Sequence, residues 1–408
     1  MNATATLLLI WRDRELRALS LLMLLQGCFG GTLGPYLSVL AVRQFHLGNA
    51  GYAALMVLAS VVSVTASLAA GIRADQTANR RAIALGAAWL MLAGAGLMTL
   101  LPSAISLVLA HGLLLPAATL FGQIFAQARL AAGRHDPRHR DGVMAAMRAI
   151  FAFSFVIILP AWSFAIDRGA PLLSTYPVAL LLGVIVLALV LRAWPRAAGT
   201  RADDPPSGLS LGQALAELAR PRILLLLLFM AAISSASTAY WAIMGLSLSG
   251  ADGTGTARAA LYAGLVAGLE VPFMLAVPLM LGRIPRDRLV FLGTAIYMVQ
   301  VTGIPLLAET PWVWLCLLPG AVGGAITFTL PIAILQDALA TRPGTGSSLM
   351  ALMKVGGDAM AAATFALGTA LSGYLMAAAL ASALSLLGAI GLLWLGRPGP
   401  ASAAPDPG

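Results

Sequence analysis

The chain has 408 residues, of which 60% are apolar and only 10% charged, with a net charge of +9. A soluble globular protein carries about 25% charged residues, so this composition excludes a soluble domain and describes a polytopic membrane protein. The positive balance does not point to nucleic acid: the arginines sit in short loops between apolar runs, without interleaved aromatics, and read as topology signals.

Taken in order, the chain begins with an apolar stretch, 7–11, that is too short for a signal peptide and is followed by Arg12, Asp13, Arg14 and Glu15. A membrane helix needs about 20 mainly apolar residues. Twelve runs qualify. The first six are 16–42, 50–72, 82–101, 104–128, 143–166 and 171–193. The second six are 223–248, 257–281, 289–307, 311–335, 347–367 and 371–395. The expected architecture is an all-α membrane protein of twelve transmembrane helices in two pseudo-symmetric six-helix bundles, 1–193 and 223–396. Between them, 194–222 reads as a cytoplasmic linker in which Ser210 caps a short amphipathic helix carrying Leu211, Leu215 and Leu218 on one face. The Pro/Gly-rich segment 397–408 reads as a disordered tail.

With both termini on one side, that side collects twenty arginines, and the other side only Arg43, Arg168 and Arg258. This bias places both termini in the cytoplasm. The Ala- and Arg-rich composition with a single lysine points to a GC-rich bacterial genome, hence to the inner membrane. Cys28 and Cys316 lie inside apolar runs and form no disulfide framework. The four histidines are scattered, and no Ser/His/Asp set, HExxH or phosphate loop occurs. No metal, cofactor or enzymatic activity is expected.

The polar residues inside apolar runs are the candidates for function, since charge in a bilayer core is costly. Gln26, Gln123 and Gln127 are cavity candidates in the first and fourth runs, whereas Gln300 suits helix–helix glue. Asp75, Arg80 and Arg81 share a short loop with Gly-x-x-x-Asp spacing. Asp75 is placed to meet the positive N-terminus of the eleventh helix near Ser347 and so gate the cytoplasmic side. Arg148 lies about 8 Å into its run, within snorkelling reach of the surface. Ser234, Ser235, Ser237, Thr238, Tyr240 and Trp241 make the seventh run polar with an aromatic end. Glu270 is the deepest acid, either a protonated packing residue or a cavity group that binds substrate or carries a proton.

The eleventh run holds the only lysine, Lys354, with Asp358 four residues on. That spacing makes either a self-satisfied pair or a charge that meets another helix or the substrate in one conformation. Met350-Ala-Leu-Met353-Lys354 echoes Met144-Ala-Ala-Met147-Arg148, 206 residues earlier, a trace of duplication between two halves.

Twelve helices in two similar halves, the central linker and the loop after the second helix resemble the major facilitator superfamily, although Gln76 and Ala78 replace a basic residue and a glycine of its signature. Further words resemble the bacterial sugar efflux transporter family: Gln123-Ile-Phe-Ala-Gln-Ala-Arg129, Met147-Arg148-Ala149, Ala267-Gly-Leu-Glu270-Val-Pro272, Gln336-Asp337 and Lys354-Val-Gly356. Gln123, Arg148, Glu270, Gln336 and Asp337 match family positions, and Lys354 stands where the family has an arginine. The resemblance implies a proton-linked exporter of sugars or glycosides working by alternating access as a monomer. Helices 1, 4, 7 and 10 would line its cavity, and Gln336 would join the translocation residues and Asp337 the gate. A drug or metabolite antiporter of the same fold is the alternative. A non-transporting sensor or a membrane enzyme is more remote.

Overall fold

The computed structural model describes residues 3–77, 79–135, 137–194, 221–250, 255–281, 283–338 and 343–395. Among these, every regular element is helical. A short helix, Ala3–Arg12, precedes α1 (Arg14–Gln44). The first half continues with α2 (Gly48–Thr77), α3 (Arg80–Leu100), α4 (Ala104–Gly133), α5 (Pro137–Asp167) and α6 (Thr175–Ala193). The second half comprises α7 (Pro221–Leu248), α8 (Thr256–Leu281), α9 (Arg286–Leu307), α10 (Leu317–Ala338), α11 (Pro343–Leu371) and α12 (Tyr374–Leu395).

Eleven of these stretches are long and apolar enough to cross a membrane. The remaining one, α11, has 29 residues, ample for a span, and its hydropathy is lowered by Lys354 and Asp358. Two spans are irregular where the sequence looks uniform. In α1 a 3-10 turn at Gly34–Tyr36 and a π turn at Leu40–Gln44 interrupt the α-helix. In α4 a π turn covers Ala110–Leu114. The turn between α11 and α12, expected at 368–371, lies instead at Ser372 and Gly373. Gly373 takes φ +88°, and both residues' N–H groups donate to the Gly368 carbonyl at 3.0 and 3.1 Å. A left-handed glycine closing orphan carbonyls ends a helix, and that signal outweighed the hydropathy dip upstream. The linker helix expected near Ser210 and the tail 397–408 lie outside the described residues.

Within each half the helices meet through small residues, as expected where lipid removes the hydrophobic drive between spans. Gly27 and Gly31 of α1 seat against Ser154 and Ile158 of α5. Gly357 of α11 and Gly388 of α12 seat against Ser234 and Ala232 of α7. Gln300 of α9 is fully buried, occupies the space left by Gly320 of α10, and donates to the Tyr262 hydroxyl at 3.2 Å. It is glue, as its uncharged chemistry implied.

The halves touch through corresponding pairs of helices: α2 against α11 and α5 against α8. Tyr52 of α2 meets Phe365 of α11 edge-on at 5.7 Å between centroids. Pro160 and Val156 of α5 lie on Gly264 and Gly268 of α8. At the end away from the termini, Gly245 of α7 sits on Ser38 and the Pro35 carbonyl of α1, and Arg43 Nη2 donates to the Leu246 carbonyl at 2.8 Å. The side chains of Asp75, Gln336 and Asp337 lie outside the described residues, and with them the expected gate between Asp75 and the start of α11.

Candidate functional site

The two halves are joined by a row of aromatic rings. Phe125 packs on Phe121 (4.9 Å between centroids), Phe121 on Phe151 (4.9 Å), Phe151 on Phe155 (5.4 Å), and Phe155 on Trp241 (6.5 Å). The row continues from Trp241 to Tyr240 (5.3 Å), to Tyr297 (6.0 Å) and to Phe328 (5.7 Å). It runs from α4 and α5 of the first half across Phe155–Trp241 into α7, α9 and α10 of the second. Helical spacing builds it: Phe121 and Phe125, and Phe151 and Phe155, are each four residues apart on one face. Phe121 is exposed; Phe125, Phe151, Phe155, Trp241 and Phe328 are half-buried; Tyr240 and Tyr297 are buried.

Glu270 closes the second-half end of this row. It is half-buried, and its carboxyl fills the space left by Gly324 of α10, where a side chain would also approach Phe328. The Tyr240 hydroxyl is buried and has no hydrogen-bond partner. A buried hydroxyl left unpaired costs about 1–3 kcal/mol. Of the expected residues, Tyr240 and Trp241 join the row, and Glu270 meets its second-half end at Gly324 and Phe328.

Asp358 sits nearby in sequence logic but in a separate contact. It is 6% exposed. Thr238 Oγ1 of α7 donates to its Oδ1 at 2.6 Å, and Lys354 Nζ to its Oδ2 at 2.6 Å. The Lys354 side chain is 58% exposed. The i,i+4 pair therefore exists, with the acid anchored to α7 and the ammonium left open on one side.

The remaining candidates divide. Gln26 and Gln123 have side-chain oxygens that are buried and unpartnered. Arg148 is exposed, two turns along α5 from Phe155. Gln127 is 1% exposed and donates to Glu15 Oε1 at 2.8 Å, so it ties α4 to α1 rather than joining the aromatic row. Arg81 donates to the Leu191 carbonyl of α6 at 2.9 Å within the first half; Arg80 also has a partner.

One cluster escaped the sequence reading. Asp13 caps α1, its Oδ1 accepting from the N–H groups of Glu15 at 2.8 Å and Leu16 at 3.0 Å. His135 Nε2 donates to Asp13 Oδ2 at 2.9 Å. Arg134 grips both Glu15 oxygens, at 3.1 and 3.0 Å. The acids at the start of α1 and the bases after α4 looked like topology charges; their pairing binds the ends of two helices. Among the described residues, no group of His, Cys, Asp and Glu has the makings of a metal site.

The Major Facilitator Superfamily model matches residues 19–362. No curated protein sequence matches. Among solved structures, the nucleoside transporter NupG superposes with a TM-score of 0.75 at 14% identity, covering 94% of this chain and 99% of that one. A mutant peptide transporter POT in complex with sulfate gives 0.72 at 12% identity, covering 93% and 94%. A POT family transporter in complex with 5-aminolevulinic acid gives 0.70 at 12%, covering 93% and 96%. At such identities the likeness is one of fold. With the family model spanning most of the length, the chain belongs to the major facilitator superfamily, a transporter rather than an enzyme.

Proposed function

We propose that this chain is a secondary active transporter that exports a small hydroxyl-bearing solute, a sugar or glycoside, in exchange for protons. The work is done by one chain in a bacterial inner membrane, with both termini in the cytoplasm. The single observation that carries the reading is Glu270, an acid in a membrane helix, set against Gly324 and beside Phe328 at the second-half end of the aromatic row. An acid at such depth is expensive when charged and is a functional residue by default. Protonation neutralises it, and a solute's hydroxyls replace the proton as its partner. Alternating access follows if the halves rock about this point. Contact at Arg43, Ser38, Pro35 and Gly245 closes the periplasmic side, and Lys354, Asp358 and Arg148 lie along the cytoplasmic approach.

Asp75 and Asp337, with Arg80 and Arg81, serve the cytoplasmic gate, and Gln336 joins Gln26 and Gln123 in the translocation path. A second reading, a drug or metabolite antiporter, is favoured by the aromatic row, which suits greasier solutes.

Sealed vesicles with an imposed pH gradient and a panel of labelled sugars test the proposal. Wild-type flux should follow the gradient, and Glu270→Gln should abolish that dependence while the protein still inserts. Unchanged gradient-driven flux in Glu270→Gln removes Glu270 from the mechanism.

A further inference from the structure

The run Arg12-Asp13-Arg14-Glu15 alternates in sign, and the fold sorts its charges. Both acids are engaged by bases at the end of α4: Asp13 accepts from His135 at 2.9 Å, and Glu15 takes both contacts of Arg134, at 3.1 and 3.0 Å. Arg12 and Arg14 stay exposed. With their neighbouring acids committed elsewhere, these two guanidiniums are left with positive charge on the surface.

The short helix Ala3–Arg12 that leads into them packs on α1 and α5. Ile10 is buried in the core, whereas Leu8 and Trp11 are exposed, Trp11 at 68%. Leu8, Trp11 and Arg12 stand three and four residues apart, so they share one face of the helix. Arg17 of α1 holds that face in place: its guanidinium lies 5.8 Å from the centre of the Trp11 ring, and its Nη1 donates to the Trp11 carbonyl at 3.3 Å. Only Asp13 separates this helix from the first membrane span. An apolar face edged by cations is thereby fixed beside the end of a span.

We infer that this surface docks on anionic phospholipid headgroups of the cytoplasmic leaflet, with Leu8 and Trp11 entering the interface and Arg12 and Arg14 holding phosphate oxygens. The inference rests on the orientation proposed above. Chain continuity keeps the helix at the membrane surface, where indoles favour the headgroup level and an amphipathic helix lies in the plane. The charge is complementary, because the cytoplasmic leaflet carries the anionic lipids, and a guanidinium meets phosphate with paired N–H donors. A soluble acidic partner offers the same charge but has to displace the bilayer from Leu8 and Trp11.

The test places a bimane label on Leu8→Cys, in a Cys28→Ala, Cys316→Ala background, in phosphatidylcholine vesicles that contain a fixed fraction of brominated lipid. Brominated phosphatidylglycerol should associate with the label at least about fivefold more strongly than brominated phosphatidylcholine, the gain of a single arginine near an anionic headgroup. High salt should shrink that ratio. Arg12→Gln with Arg14→Gln should bring it close to one, and Arg12→Lys with Arg14→Lys should keep most of it. Equal quenching by the two lipids with both arginines present overturns the headgroup site. Quenching by neither lipid overturns membrane docking altogether and leaves the face to water or to a protein. The comparison of the two lipids decides the matter even if an arginine variant fails to fold. Orientation is read separately, with an impermeant thiol reagent outside sealed right-side-out vesicles, which should leave unmodified Leu8→Cys unlabelled. Labelling from outside overturns the cytoplasmic placement, whereas the lipid ratio, measured with headgroups in both leaflets, does not depend on it.

Discussion

Arg43 reaches from the first half to the Leu246 carbonyl in the last turn of α7, 2.8 Å away, so a guanidinium of one half caps a helix of the other. Cations at a helix C-terminus gain from its partial negative charge, and a hydrogen bond from a charged donor contributes about 1.5–3 kcal/mol. Since Arg43 is half-buried rather than buried, the lower end of that range applies. Arg43→Ala should loosen this closure. A cysteine placed at Ser38, which faces Gly245, should then react with an impermeant thiol reagent about tenfold faster than in the Arg43 protein. Equal rates would show that apolar packing alone keeps the halves together there.

Glu270 owes its position to the missing side chain at Gly324. A Cβ there would collide with the carboxyl, and Phe328 also lies close. Overpacking of this kind costs about 1–3 kcal/mol, and the carboxyl is the part free to move. Gly324→Ala should therefore change the proton dependence of transport more than it changes thermal stability. Gly320→Ala, which presses on the structural amide of Gln300, should lower stability without that effect on proton dependence. The same change in both variants would mean that α10 simply tolerates no added bulk.

The pair Lys354–Asp358 is unequal, because the acid is 8% exposed at its side chain and the lysine 58%. Removing the lysine leaves a buried carboxylate with Thr238 as its remaining hydrogen-bond donor. Removing the acid lets the ammonium turn to water. Breaking a buried pair costs about 3–5 kcal/mol, a figure that the open lysine scales down. Lys354→Ala should lower the unfolding temperature in detergent more than Asp358→Asn, and the double variant should recover part of the loss. If Asp358→Asn proves the worse of the two, the acid's bond to Thr238 matters more than its charge.

The spans were legible because a bilayer demands long apolar runs, and the Lys354–Asp358 pair because helical spacing alone brings i and i+4 together. Other features depend on partners far apart in the chain. Gln127 reads as a cavity candidate in the sequence, and only the fold shows that Glu15, 112 residues away, accepts its hydrogen bond. The aromatic row draws on five helices from both halves, so its continuity depends on the fold, although the four-residue spacing of its phenylalanines was a signal on α4 and α5. The π turns of α1 and α4 arise where packing overrides a sequence that reads as plain helix. The glycine at 373 was a visible turn signal that the apolar run obscured.

Asp13 supplies a pH dependence outside the membrane. Burial works against its charge, but the N–H groups of Leu16 and Glu15 and the His135 ring outweigh burial, and its carboxyl stays below the ordinary value. A carboxyl with a lowered folded-state value contributes stability that is full above the unfolded value of about 3.9. That contribution is lost as pH falls through the folded value, because the unfolded chain then binds protons more readily. Unfolding temperature in detergent, followed from about pH 7 to about pH 3, should therefore fall less steeply below about pH 4 in Asp13→Asn than in the wild type. Asparagine still accepts the α1 backbone N–H bonds, so the difference isolates the charge and its contact with His135. Parallel curves for the two proteins would show that Asp13 acts only as a helix cap, and that the contact with His135 adds nothing to the hold between α1 and α4.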